Sequence, residues 1–429
     1  MGKCYRFVKC IQISKIKRER VLENMKKLSV LALLMLTSSM LLFGCGKTEE
    51  PAAEEPVAEE ESAAEPETAE EETPAEEETD PWADDETVPD GMVRSQLTNE
   101  FVSKDVAKKR PAAIMINNII NAIPHSGISQ ADVIYECVVE GSLTRMMAVF
   151  EDWEDIPKIG PVRSCRDYFV YWAYEWDAIY CHFGGPKLYV DSVLSREDTD
   201  NLDGTLLDGV VYFRTSDRKA PHNAYASGEG ILKGVDRKGY KLTHTENYRE
   251  GHYTFTPASK QNDLSQVSGS FDATYVAPGY LINKPYFEYN PEDGLYYRYQ
   301  YGKQHIDMEN GEQLAFKNVI FQNTYYETRD SHGYLAFQDH DDTRDGYFFT
   351  NGKGIHVRWK KTSDFSPTRY YDDDNNEIVL NTGKTFVCIV QDQKSDAIVV
   401  KDADGNITVG SGAENTDTIA AGEDSEDAE

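Results

Sequence analysis

The chain has 429 residues and a formal charge of −31, from 44 basic against 75 acidic side chains, a length that suits two to three domains of about 150 residues each. The charge is uneven: residues 1–47 hold 10 bases and 2 acids, 48–90 hold 20 acids and no base, and 412–429 hold 7 acids and no base, which leaves −12 for 91–411. No segment past the amino terminus supplies the basic stripe that a dedicated nucleic-acid binder needs, and the composition excludes collagenous, coiled-coil and multi-span membrane proteins.

Lys26-Lys27 precedes an apolar run from Leu28 to Phe43, followed by Gly44-Cys45. Sixteen residues are short for a spanning helix, which needs about 20. A basic opening, a short apolar core and a small residue before the cut describe a signal peptide over 25–44. Leu42-Phe43-Gly44-Cys45 resembles the lipobox of bacterial lipoproteins, so Cys45 is the expected lipidation site and mature amino terminus. Met25-Lys26-Lys27 is the expected natural start, with residues 1–24 an upstream extension.

Segment 45–91 is almost wholly Glu, Ala, Pro, Thr and Asp, with no aromatic residue before Trp82. It cannot bury enough apolar surface to offset its ordering entropy, and it is expected to be a disordered acidic stalk. The tail 412–429 reads the same way.

Globular structure is expected from about Met92. Arg110 to Asn118, Val133 to Val138, Arg145 to Phe150 and Ala178 to Phe183 read as strands, the last ending at Gly184-Gly185. Tyr168 to Trp176, aromatic at most positions, reads as a buried helix, and so do Lys187 to Leu194 and Ser227 to Lys238, the last with Ser227 as N-cap. This mixture indicates a mixed α/β domain over 92–245. From 246 to 411 the pattern changes to short strands rich in Tyr, Phe and Val, separated by turns such as Asn310-Gly311 and Asn351-Gly352. The fold class expected is α+β, a mixed amino-terminal domain followed by a mainly antiparallel β domain.

Four cysteines lie in the exported part, Cys137, Cys165, Cys181 and Cys388, none in a Cys-x-x-Cys pair, so structural zinc is not expected. Catalytic signatures such as the Gly-x-Ser-x-Gly elbow, the His-Glu-x-x-His helix and the Walker loop are absent, and no cofactor or metal is called for. Asp372 to Glu377 has Glu377 where a calcium loop needs its sharp-turn glycine, and reads as a hairpin turn. Two basic clusters stand out in an acidic domain: Lys158 to Asp167, with Arg163 and Arg166, and Tyr212 to Asn223, with Arg214, Arg218 and Lys219. If they converge, Arg163, Arg166, Asp167, His182, Arg218, Lys219, His222 and Asn223 form a candidate anion site, since guanidinium forks suit phosphate or carboxylate. Ion pairing with local carboxylates is the competing reading.

Arg110-Pro111 through Asn117-Asn118, Ser126 through Glu136, Ile159-Gly160-Pro161-Val162-Arg163-Ser164 and Arg218 through Asn223 resemble the YerB-like bacterial lipoproteins. The likeness continues at Asn351-Gly352-Lys353, Trp359-Lys360-Lys361 and the turn after Tyr370-Tyr371-Asp372, and so covers about 105–391. Cys165 and Asn376 depart from the usual pattern. The resemblance implies a two-part fold and no reaction. A four-residue likeness, Ser164-Cys165-Arg166-Asp167, is similar to the LytR-CpsA-Psr envelope phosphotransferases and implies an enzyme acting on a phosphorylated polymer or lipid carrier. The leading expectation is a non-catalytic envelope lipoprotein on the extracytoplasmic face of the cytoplasmic membrane. Its expected partners are the membrane, through the lipid anchor, and an anionic envelope polymer or an envelope protein, with no nucleic acid.

Overall fold

The computed structural model describes residue 82 and residues 86–411. The chain divides into two units, Met1–Glu76 and Glu77–Glu429, and the architecture below is that of the second. The expected start at Met25, the signal peptide, Cys45, nearly all of the acidic stalk and the tail 412–429 lie outside the described residues.

The elements that build the body are, in chain order, β1 (Ala112–Asn117), β2 (Val133–Val138), β3 (Thr144–Phe150), α1 (Asp167–Tyr174), β4 (Ile179–His182), α2 (Lys187–Leu194), β5 (Asn201–Asp203), α3 (Gly204–Leu207), β6 (Tyr212–Arg214), β7 (Ala224–Ala226) and α4 (Gly228–Lys238). The later half adds β8 (Phe271–Asp272), β9 (Tyr275–Ala277), β10 (Tyr286–Asn290), β11 (Leu295–Gln300), β12 (Asn318–Thr324), β13 (Asp341–Thr350), β14 (Lys353–Lys361), β15 (Arg369–Tyr371), β16 (Thr385–Gln391), β17 (Val399–Lys401) and β18 (Ile407–Val409). The class is α+β, as the sequence suggests.

One large sheet runs β8-β14-β13-β12-β16-β2-β3-β1-β4-β5, with β15 beside β14. Its first half is antiparallel from β8 to β12, but β16 lies parallel to both β12 and β2, with Cys388 level with Glu136. The change of pattern near residue 245 therefore falls inside one sheet and one compact unit. Strands β1, β2, β3 and β12 are buried at every position, which explains why they read as continuous apolar runs rather than alternating ones. A second, antiparallel sheet is built on β11-β10-β9-β17-β18. The β13–β14 hairpin turns at Asn351 and Gly352, both at positive φ, as a two-residue type I′ connection requires.

Helix α1 buries Tyr168, Phe169 and Trp172, and Trp172 packs edge-on to both of the others. In α4 the Ser227 hydroxyl accepts from Gly230 N, and Gly239 ends the helix in the left-handed region. A buried polar chain fastens the two halves: Arg298 Nη2 donates to Glu136 Oε2 at 2.6 Å, and Asn118 and Asn283 donate to Glu136 Oε1 at 2.9 and 2.7 Å. Asp307 accepts from Gly127 N and from the backbone and hydroxyl of Ser129.

Candidate functional site

Strands β1, β4 and β5 are parallel neighbours, so the segments that follow them gather at one edge of the sheet. Carboxyl ends of parallel strands are where open α/β sheets commonly bind ligands. The segment 159–165 is laid across this edge by backbone bonds. Ile159 pairs with Ala226 of β7, Arg163 N donates to Met115 O, Phe183 N donates to Arg163 O, and Cys165 N donates to Gly184 O. Gly160 sits at φ 145°, and a Cβ there would meet Val162 N at 2.8 Å, so the crossing needs glycine.

Both basic clusters reach this edge, and their members separate into two groups. Arg163 is half-buried on the crossing segment. Arg218 donates to the carbonyls of Ala122 and Pro124 in the turn after β1, and its nearest carboxylate, Asp217, is 3.8 Å away. Arg214 lies over the Phe183 ring at 4.7 Å, with Asp208 at 3.4 Å. Lys219 is exposed, and His222 Nδ1 accepts from the Asn117 amide at 2.9 Å.

The other four candidates serve the interior. Arg166 is buried and grips Glu140 with two nitrogens, while its Nη1 donates to Cys165 O at 2.7 Å. Burial works against the Glu140 charge, yet Arg166 and Arg145 hold its pKa below the ordinary carboxylate range. Asp167 accepts from Arg329. His182 is fully buried and braces its loop, with Nδ1 2.9 Å from Gly184 O and Nε2 3.3 Å from Asn201 Oδ1. Asn223 accepts from Arg214 at 3.0 Å and donates to Thr215 O at 2.8 Å. Arg166 and Asp167, on which the phosphotransferase likeness rests, are thus both spent on internal ion pairs. Glu140 and Arg329, the partners that decide this, carry no local sequence signal, since Arg329 is 162 positions from Asp167.

All four thiols are buried without disulfides, and burial pushes those of Cys165 and Cys181 up to about 12, which removes them as nucleophiles at neutral pH. Among the described residues no group of three His, Cys, Asp or Glu side chains could hold a metal ion, and no helix is long and apolar enough to cross a membrane. A small cavity at the amino edge of the sheet is lined by Leu97, Glu151, Glu175, Trp176, Tyr248 and His252 among others. Its Glu175 is already satisfied by Thr368 and Lys361.

Residues 97–241 match the N-terminal domain, and residues 276–387 the C-terminal domain, of a family described as "Protein of unknown function (DUF3048)". A relative from Bacillus subtilis, "Putative lipoprotein YerB", is 29% identical over 320 residues, 73% of this chain and 91% of that one. The chain belongs to the YerB-like family. The crystal structure of the B. subtilis YerB protein aligns with a TM-score of 0.63 at 27% identity, over 72% of this chain and all of the other. The family has no described activity, and its lipoprotein member is consistent with attachment of this chain to a membrane.

Proposed function

We propose that this YerB-like chain is a lipid-anchored, non-catalytic binding module on the extracytoplasmic face of the membrane. Its acyl anchor is Cys45, and its folded body takes a phosphate-bearing anion at the carboxyl edge of β1, β4 and β5. The reading rests on one juxtaposition: Arg163, Arg214, Arg218 and Lys219, with His222 beside them, share one edge of an otherwise acidic body. Like charges gathered at an edge are tolerated when an anion neutralises them, and a guanidinium fork matches phosphate oxygens.

Inorganic polyphosphate is expected to raise the melting temperature of the wild type, because a ligand that binds only the folded state stabilises it. Arg163→Ala combined with Lys219→Ala is expected to keep stability within about 1 kcal/mol and to abolish that rise. A wild type that no phosphate-bearing anion stabilises, or a rise that survives both substitutions, overturns the site. For the anchor, Cys45→Ala is expected to release the protein or to leave a precursor. Fatty-acid labelling that does not depend on Cys45 overturns that part.

A further inference from the structure

Eight large apolar side chains are markedly exposed among the described residues, and five of them stand at the basic edge: Ile120, Leu188, Leu206, Phe213 and Met308. Three follow the ends of three adjacent parallel strands. Ile120 comes after β1 and is 54% exposed, Leu188 after β4 at 83%, and Leu206 after β5 at 70%. The loops that carry them touch. Gly184 N donates to Asp203 Oδ1 at 2.9 Å, and a Cβ on Gly184 would stand 3.2 Å from Thr205. Arg218 holds the turn that bears Ile120, and its Nη2 is 3.9 Å from Met308 Sδ. In α2 the core side is Val190 and Val193, and Leu188 lies about 200° round the helix from Val190.

Single exposed apolar residues need no explanation, but several on one edge interleaved with bases mark an interaction surface. We infer that this edge seats on an anionic phospholipid bilayer, with Ile120, Leu188 and Leu206 entering the headgroup layer while Arg163, Lys187, Arg214, Arg218 and Lys219 lie among the lipid phosphates. The inference rests on the phosphate-binding reading above and names the bearer of the phosphate. Carboxylates stand at the same edge, Asp191, Asp203, Asp208, Asp217 and Glu309 among them, and three of these, Asp208, Asp217 and Glu309, are already beside Arg214, Arg218 and Lys158. A water-soluble polyanion gains nothing from three projecting aliphatic side chains, whereas an acyl-chain boundary does, and anionic lipids add attraction for each nearby base.

The tether makes a weak contact sufficient. Forty residues separate Cys45 from Glu86, a reach of at most about 140 Å when extended. The described chain enters at Glu86, which accepts from Ser259 N and pairs with Arg94 at the amino edge of the sheet, and a length of this order is enough for the opposite edge to face the membrane. Anchored at that distance, the body meets the bilayer at a high effective concentration.

The test uses the full lipoprotein, purified from membranes and reconstituted through its anchor into vesicles of phosphatidylcholine alone or mixed with phosphatidylglycerol. Leu188→Cys and Leu206→Cys each carry an environment-sensitive fluorophore, with Asp105→Cys at the amino edge for comparison. Labels at 188 and 206 are expected to shift to the blue and to be quenched several-fold by nitroxide-bearing lipids when phosphatidylglycerol is present. The label at 105 should stay in water. Arg163→Ala with Lys219→Ala should lower the quenching at 188 and 206. Labels at 188 and 206 that behave like the one at 105 overturn the bilayer contact, and so does protection that appears only when cell-envelope proteins are added. If polyphosphate still stabilises the protein through Arg163 and Lys219 in that case, the anion site stands and only the bilayer fails. If 188 and 206 insert regardless of lipid charge and of both bases, the phosphate-binding reading fails instead.

Discussion

Glu136 and Arg298 are both fully buried, one in β2 and the other in β11. Arginine can only donate, so its Nη1, 2.6 Å from His305 Nδ1, makes that nitrogen an acceptor. His305 then donates from Nε2 to His125 Nδ1 at 2.7 Å, and His125 donates from Nε2 to Asn117 O at 2.7 Å. Both rings are neutral in a single tautomer. Burial drives His125 down to about 3 and His305 lower than the usual histidine range, so the chain of bonds keeps its sense through mildly acidic pH. Glu136→Ala would leave Arg298 buried without its carboxylate and is expected to cost about 3–5 kcal/mol, read from the urea midpoint. A loss under about 1 kcal/mol would mean that water or Asn283 replaces the carboxylate. A second acidic pair acts oppositely. Burial pushes Asp132 up to about 6 and Glu151 up to about 7, with Asp132 Oδ2 also accepting from Glu151 N. Each folded-state pKa lies above its unfolded value, so the protonated acids contribute stability fully below about pH 4, and that contribution fades as pH rises through about 6 to 7. Glu151→Gln is therefore expected to be about 1–3 kcal/mol more stable than the wild type at pH 8 and equal to it near pH 4, measured by denaturant titration at both. Parallel pH profiles would remove Glu151 as the titrating group.

Helix α4 shows how an element can defy its own propensities. Glycine inside a helix ordinarily weakens it by about 0.5–1 kcal/mol relative to alanine, so Gly228→Ala should help. Here a Cβ on Gly228 would stand 2.0 Å from Glu154 O and 2.3 Å from Trp153 O, and one on Gly230 would stand 2.4 Å from Val211 O. The helix start is pressed onto backbone at two points, and Gly228-Glu229-Gly230 serves this packing. Gly228→Ala is expected to lower stability by at least about 2 kcal/mol in thermal unfolding, the reverse of its helix-propensity sign. A stabilised variant would show that the helix can slide away from Trp153. Elements of this size were legible in the residues. The aromatic run of α1, the apolar spacing of α2 and the Ser227 cap of α4 each carry a local signal that the structure repeats. The three-residue strands β5, β6 and β7 carry none, because their pairing is set by distant neighbours rather than by periodicity. The same limit governs the site. The charge of the two basic clusters marked them as candidates only, while the inward pairing of Arg166 and Asp167 depended on Glu140 and Arg329, which lie elsewhere in the sequence.

At the scale of the molecule, the parallel pairing of β16 with β2 joins the two sequence halves in one sheet. At the join β12, β16, β2, β3 and β1 succeed one another without a gap, buried at every position except Gln391. Residues 86–411 are accordingly expected to unfold in one calorimetric transition, with the van't Hoff and calorimetric enthalpies equal. Residues 92–245 produced alone should lack a cooperative transition, since β2 would present a bare apolar edge. Two resolved transitions, or a cooperative melt of the shorter piece, would show that the halves fold separately.

That same strand sets an order in time. A chain made from its amino terminus completes β2 at Val138 but obtains the neighbour it is built to hold only when Thr385 to Gln391 arrive. Over the roughly 250 residues from Val138 to Gln391 the nascent body carries an open, sticky β-edge, and β16 must enter between β12 and β2 to close it. The burial of the finished sheet and the vulnerability of its unfinished form have one origin, so mutations in residues 385–391 should show first as lost yield, through aggregation or proteolysis, and only second as a weaker native state.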